Sequence, residues 1–318
     1  MRKIASLTLA GMMFAILGCG GNHDTSHDHA KTLKAVRTHN GPYPIKAIGT
    51  TGMVADLIRN VGGKHVDTTQ LFGADVDPHL YKATDADTAK LAGTDIIFYS
   101  GLHLEGKMTE IFDSLGRKLP CFGVGDYLDR KLVHKDEEGS VDPHVWFDVT
   151  LWSQAAGVVR DALALYDPSH ASDYQANCDR FQQELEELHA FAQSRLLEVP
   201  EKQRVLITSH DAFRYFGRAY KIEVKGIQGI STESEASVGH ISQLVSFIVE
   251  RKVKAVFVET SVNPRNMRAL IEGCAARGHK VSEGGELFSD AMGKEGTPEG
   301  TYVGMIRHNV ATIVNALK

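Results

Sequence analysis

The sequence predicts an α/β fold of two lobes with mainly parallel sheets, joined by one long rigid helix. Two observations carry the lobes. Short β-branched or apolar runs alternate with helical patterns from Ile45 onward, and a second series of the same kind begins at Val205. Such alternation is the pattern of parallel strands covered by helices on both faces. The third observation is the stretch between them: Pro168 follows Asp167 as a first-turn proline, and neither Pro nor Gly recurs until Pro200. One uninterrupted helix of about 30 residues fits there, on the order of 45 Å long. Phe181, Leu185, Leu188 and Phe191 give it an apolar stripe at helical spacing, for packing against the lobes.

The composition agrees with a globular protein of this size. In 318 residues, 42% are hydrophobic and 24% charged, and 35 basic side chains face 40 acidic ones. With no basic excess, a nucleic-acid partner held by phosphate contacts is not expected.

From the N-terminus, Met1-Arg2-Lys3 is a basic n-region followed by an apolar run from Ile4 to Leu17. That run is too short to span a bilayer, which takes about 20 apolar residues, and reads as an export signal. It ends in Ile16-Leu17-Gly18-Cys19, which resembles a bacterial lipobox; an ordinary signal cleaved elsewhere would leave Cys19 unexplained. Cys19 is thus expected to carry the lipid anchor of an exported protein. Removal of residues 1–18 takes away Arg2 and Lys3 and leaves 33 basic against 40 acidic side chains. Cys121, Cys178 and Cys274 then remain, an odd and irregular set expected to be buried free thiols. Residues 19–44, with His23, His27, His29 and His39, read as a flexible tether, one that could gather metal weakly or be a plain solvated linker.

In the first lobe, residues 45–166, strands are expected at Ile45–Ile48, Val66–Phe72, Asp95–Tyr99 and Cys121–Val124. The helix over Met53–Val61 stops at Gly62-Gly63, and that over Thr84–Ala92 starts with a Thr84/Asp87 capping pattern and stops at Gly93. After the linker helix, residues 167–200, the second lobe (201–318) carries strands at Val205–Thr208, Ile222–Ile227, Ala255–Val258 and Lys280–Val281. His240–Arg251 and Asn266–Arg277 read as helices between them.

Two tripeptides recur at strand ends: Asp77-Pro78-His79 and Asp142-Pro143-His144, each with an aromatic two residues on, Tyr81 and Trp146. In the second lobe His210 closely follows a strand, and Asp290 lies shortly after the last one. All four therefore sit where open α/β sheets bind ligands. Three neutral imidazoles and one carboxylate make a closed shell for a divalent transition metal, although each histidine taken alone reads equally as a core or surface residue. His103, Glu105, Asp211 and Glu259 lie near strand ends too, as outer hydrogen-bond partners or caps more than as direct ligands. His65, His134, His170, His189, His240, His279 and His308 have no supporting motif, and the surface is their default place.

Over residues 45–317 the chain resembles the solute-binding proteins of bacterial zinc and manganese ABC transporters, of the TroA type within the ZnuA/PsaA-like group. The resemblance rests on Gly73-Ala74-Asp75-Val76-Asp77-Pro78-His79-Leu80-Tyr81, Gly101-Leu102-His103-Leu104-Glu105-Gly106, Asp142-Pro143-His144-Val145-Trp146, Ser209-His210-Asp211-Ala212-Phe213, the segment from Gly284 to Gly293, and Glu299-Gly300-Thr301-Tyr302. It implies a metal clamped in the interlobe cleft by His79, His144, His210 and Asp290, with Zn²⁺ or Mn²⁺ as transported ligand. It also implies a membrane permease and a separate ATPase as partners. Where the manganese branch has Glu, this chain has His210, and it lacks the long acidic, His-rich loop of the zinc branch, carrying only Lys135-Asp136-Glu137-Glu138. Imidazole donors and the affinity order favour zinc over manganese, while a bidentate Asp290 would enlarge the shell for Mn²⁺.

Other functions fit the sequence less well. A catalytic zinc keeps an open position that four protein ligands close. Neither His-Glu-x-x-His, nor a Gly-x-Ser-x-Gly elbow, nor a phosphate-binding Gly-rich Lys loop occurs, so no enzymatic activity is expected. Ser209-His210-Asp211 are consecutive, and neighbours in a strand do not converge on one proton path. A metal-dependent adhesin or metal-buffering lipoprotein is the first alternative, and a metallohydrolase stands behind it.

Overall fold

The protein is described by a computed structural model that covers residues 37–136 and 139–318. The expected leader, the anchor at Cys19, the tether histidines His23, His27 and His29, and Glu137-Glu138 lie outside the described residues. The last part of the expected tether is not free. Within residues 37–44, His39 N–H donates to the Tyr166 carbonyl at 2.6 Å and Tyr43 OH donates to Asp167 Oδ1 at 2.8 Å. Aromatic contacts of Tyr43 with His39 and His170 hold the segment on the body.

The first lobe has strands β1 (Ile45–Gly49), β2 (Val66–Gln70), β3 (Ile96–Tyr99) and β4 (Cys121–Gly123), with helices α1 (Gly52–Gly62), α2 (Asp85–Ala92) and α3 (Thr109–Gly116) between them and α4 (Val149–Tyr166) after. The sheet is parallel in the order β2-β1-β3-β4. Thr84 and Asp87 form the reciprocal capping box of α2, and α1 ends at Gly63, whose φ of +53° suits glycine.

Long helix α5 (Ala171–Leu196) follows. It is 26 residues long, or about 39 Å, and is preceded by a separate tight turn at Pro168–His170. The uninterrupted helix expected from Pro168 to Pro200 is therefore shorter at both ends. Asp167 is occupied in binding His170 Nδ1 and Tyr174 OH, both at 2.7 Å, and before Pro200 the helix tightens into turns in which the Glu198 and Val199 N–H groups donate to the Arg195 and Leu196 carbonyls. The buried stripe is Tyr174, Cys178, Phe181, Leu185, Leu188, Ala192 and Leu196. Phe191 is off it, half-buried beneath the Arg307 guanidinium at 4.5 Å.

The second lobe has β5 (Val205–His210), α6 (Arg214–Tyr220), β6 (Glu223–Gln228), α7 (Val238–Arg251), β7 (Ala255–Glu259), α8 (Arg265–Ala276), β8 (Ser282–Leu287) and α9 (Tyr302–Leu317). β5 pairs with β6 and β7 with β8, all parallel, and β5 neighbours β7. The two pairs are separate two-stranded sheets, and because β5 lies next to β7 the spatial order β6-β5-β7-β8 runs as β2-β1-β3-β4 does in the first lobe. The last strand was expected at Lys280–Val281 but starts at Ser282. Gly284 and Gly285 mask it in sequence, and the pairing to β7 shifts register between Val256 and Val258. Linker α5 packs on α1 and α4 at one side and on α9 at the other.

Strand alternation explains the layers. Ile45, Ala47, Ile96 and Phe98 face one core, which continues through α4 and α5 to Leu206, Phe257 and Tyr302 in the other lobe. Ile48 and Ile97 face the outer helices of the first lobe, and Val205, Ile207 and Val256 those of the second. One apolar layer therefore runs through both lobes and fixes the strand ends that face each other across the cleft. The three expected free cysteines are unpaired; Cys178 and Cys274 are buried and Cys121 is half-buried. Among the described residues no helix is long and apolar enough to cross a membrane.

Candidate metal centre

Each candidate side chain is presented by a short, tightly bonded segment. After β2, Asp77 Oδ1 accepts the His79 backbone N–H at 2.9 Å, and Pro78 between them stiffens the turn. The loop after β4 repeats this: Asp142 Oδ1 accepts the His144 backbone N–H at 3.0 Å and also the ring Nδ1 at 2.8 Å. His210 is the last residue of β5, and Glu259, the last of β7, binds its backbone N–H at 2.9 Å and its Nδ1 at 2.5 Å. Asp290 lies three residues beyond β8 in a loop held by buried Asn309, which bonds both the N–H and the carbonyl of Phe288. Trp146 Nε1 donates to the Ser289 carbonyl at 3.0 Å and ties this loop to the residues after His144.

These segments bring His79, His144, His210 and Asp290 together, with one donor atom from each within 4.8 Å of the others. His144 Nε2 lies 3.4 Å from His79 Nε2 and 3.3 Å from His210 Nε2. Asp290 places Oδ1 at 3.4 Å from His144 Nε2, and Oδ2 at 3.2 Å from His210 Nε2 and 3.7 Å from His79 Nε2. Bonds of about 2.0–2.1 Å to a tetrahedral ion put neighbouring donors about 3.3–3.4 Å apart; the pairs that include His144, and His210 with Asp290, lie close to this, while His79 stands further from Asp290 at 3.7 Å. The carboxylates behind His144 and His210 occupy their Nδ1 atoms, so both rings turn Nε2 inward. Both oxygens of Asp290, a buried residue, lack a hydrogen-bond partner. An unsatisfied buried carboxylate facing three imidazole nitrogens is a cation's environment.

The electrostatics separate the three histidines. Burial alone would lower His144, but Asp142 and Asp290 outweigh it and push the ring up to about 9. His210 is likewise raised well above an ordinary histidine against its burial, by Glu259 and Asp290. Asp290 is held well below an ordinary carboxylate by His210 and His144 despite its burial. His79 moves the other way: burial, only partly opposed by Asp290, pulls it down to about 4.

Of the four additional residues near strand ends, only Glu259 touches a candidate ligand. Glu105 is buried and accepts from Thr50 Oγ1 at 2.6 Å and Ser100 N–H at 2.7 Å, closing its own loop. His103 is exposed at φ +70°. Asp211, pushed up to about 6 chiefly by burial, faces Arg214 at 3.7 Å. Of the histidines assigned by default to the surface only His240 is exposed and the others are half-buried; His134 lies against Tyr215 with its Nε2 unpartnered. His240, His279 and His308 donate to the carbonyls of Gly226, Val253 and Glu286, and His65 stacks on His170 at 3.8 Å. Sequence reasoning missed Asp142 and Asp77 as the partners of their own histidines; the acid two residues before each His was the available signal.

The family described as zinc-uptake complex component A, periplasmic (ZnuA), matches residues 48–316. The chain is 42% identical over 306 residues to the manganese-binding lipoprotein MntA of Bacillus subtilis (strain 168), covering 96% of each. It is 46% identical over 270 residues to the zinc-binding protein TroA of Treponema pallidum (strain Nichols), covering 85% of this chain and 88% of the relative. The solved structure of the periplasmic zinc-binding protein TroA from Treponema pallidum superposes with a TM-score of 0.84 at 45% identity, covering 87% of this chain and 99% of that one.

Proposed function

This chain belongs to the family of the periplasmic zinc-uptake component A, and from that premise we propose that it is an exported, lipid-anchored solute-binding protein that captures Zn²⁺ or Mn²⁺. It delivers the ion to an ABC permease driven by a separate ATPase. The observation that carries this reading is the set of four buried donors, two from each lobe, whose ligand atoms all lie within 4.8 Å of one another and face a common centre. His79, His144, His210 and Asp290 are the proposed ligands. With four protein donors and no position left for an activated water, the site suits holding an ion more than catalysis. Three imidazoles favour Zn²⁺ over Mn²⁺ in intrinsic affinity, and Asp290, with both oxygens turned inward, supplies a fifth contact for Mn²⁺.

The chemistry of capture follows from the proton inventory. Asp290, with Asp142 behind His144 and Glu259 behind His210, raises the proton affinity of both rings without a metal, so an entering ion competes with protons for this pair and takes over the balancing of the carboxylate. Release then requires the permease to part the lobes, because the ligand set spans both.

Competitive titration of Zn²⁺ and Mn²⁺ into chelator-stripped mature chain tests this. Stoichiometric binding is expected, weakened in both His210→Ala and Asp290→Ala by more than the roughly 10–100-fold typical of losing an outer partner. Absence of tight binding, or its retention in both variants, overturns the assignment.

A further inference from the structure

Among the described residues no carboxylate is bonded to the ring Nδ1 of His79, unlike His144 and His210. Its position depends on its backbone, gripped by Asp77 Oδ1. The other oxygen of that same carboxylate, Oδ2, accepts the hydroxyl of Thr232 at 2.6 Å, and Thr232 belongs to the opposite lobe. Thr232 is a buried side chain in the segment between β6 and α7.

We propose that Thr232 is a positioning residue for the metal site, holding His79 in place across the cleft through the carboxylate of Asp77. The route back to the second lobe is continuous. Gln228 Nε2 donates to the carbonyls of Thr232 and Ser234, at 3.4 and 3.1 Å. Gln228 ends β6 in register with His210, and the Asp211 N–H donates to the Gly229 carbonyl at 3.2 Å. A short chain of hydrogen bonds thus links the His210 strand of one lobe to the His79 turn of the other. A second crossing, Lys107 Nζ to Glu233 Oε1 at 3.0 Å, lies one residue from the first.

The consequence is specific. When the lobes part, the Thr232 hydroxyl leaves Asp77, and the carboxylate that fixes the His79 turn loses its cross-cleft donor. Metal exit and lobe separation are coupled at this bond, so its loss speeds dissociation more than it slows capture.

This inference rests on the metal-binding reading, and the experiment separates the two. Stopped-flow dissociation of Zn²⁺ and of Co²⁺ from the loaded mature chain into excess chelator is compared for the unsubstituted protein, Thr232→Val and Thr232→Ser, alongside association rates and thermal unfolding of the metal-free proteins. Thr232→Val, which keeps the shape and removes the donor, is expected to raise the dissociation rate on the order of tenfold. Association and metal-free stability stay near those of the parent, and Thr232→Ser restores slow release. An unchanged dissociation rate in Thr232→Val, or a serine variant as fast as the valine, overturns the role of Thr232 with the metal site left standing. An unsubstituted chain that holds no metal overturns the site itself and this role with it.

Discussion

Asp77-Pro78-His79 and Asp142-Pro143-His144 are the same three residues, begin with the same Asp-to-backbone hydrogen bond, and end in opposite electrostatic states. His144 is raised to about 9 and His79 lowered to about 4. The turn is local and the sequence repeats it. The difference is tertiary. Asp142 is wholly buried and spends its accepting oxygen on its own histidine, ring as well as backbone. Asp77 is half-buried and turns its second oxygen to Thr232 across the cleft. One tripeptide is anchored where Tyr215 OH also donates to the Asp142 carbonyl and Trp146 reaches Ser289. The other lies at the rim, where the lobes meet through few polar contacts. A repeated motif therefore yields one candidate ligand fixed within its own lobe and one whose turn is also bonded to the other lobe.

The largest test of this contrast is the paired removal of the two acids. Asp142→Ala frees the His144 ring and its backbone together and should weaken equilibrium metal affinity about 10–100-fold. Asp77→Ala removes no bond to a ring nitrogen; with the Thr232 bond and the His79 backbone grip both gone it should cost on the order of tenfold, at the low end of the range for Asp142→Ala and expressed mainly as faster release. Chelator-competition titrations of the two variants side by side decide it; an equal or larger loss in Asp77→Ala would show that the rim turn is no looser than the deep one.

Proton competition gives a second measure. Free imidazole titrates near about 6.5, and His144 in the metal-free fold near about 9. The proton it holds stabilises the metal-free protein fully below about 6.5, and that contribution is lost as pH rises through about 9. A bound ion takes the proton's place. Metal affinity should accordingly climb between about pH 6.5 and 9, by about tenfold per pH unit for each proton displaced, while the melting temperature of the metal-free protein falls over the same window. His79, lowered to about 4, is neutral throughout that window, so its own proton competes only in acid and metal-free stability declines as pH falls from about 6.5 to 4. Affinity flat from pH 6.5 to 9 would remove the electrostatic distinction between the two turns.

What the sequence disclosed follows the same division between local and distant causes. The strands β3, β5 and β7 contain contiguous apolar runs, the Thr84/Asp87 cap is a pattern over four residues, and the four candidate ligands stand in short motifs at strand ends. Each is written within a few neighbouring residues. Helix α4 escaped notice because it is buried on more than one face, from Val149 and Trp152 round to Val158 and Val159, and so shows no clean amphipathic stripe. β8 is disguised by Gly284 and Gly285. Glu259 becomes the partner of His210 only because β5 and β7 lie side by side, and Thr232 reaches Asp77 across 155 residues of chain. The four side chains that the structure brings together were legible; the residues that aim them from another strand or lobe were not.

The smallest expected effect probes the rim alone. Lys107 and Glu233 bridge the lobes beside Thr232, with side chains 31% and 51% exposed, and solvent screening limits such a pair to about 0.2–1 kcal/mol. Lys107→Ala or Glu233→Ala should therefore raise the metal dissociation rate by no more than about fivefold, and the difference from the parent should vanish in high salt. The exchanged pair, Lys107→Glu with Glu233→Lys, should recover slow release if the attraction across the cleft is what matters. A large effect that persists in salt would instead place the lobe contact in packing around these side chains and not in their charge. The buried Thr232–Asp77 bond should keep its effect in salt, because its donor is neutral and enclosed. That makes ionic strength the variable that tells the two rim crossings apart.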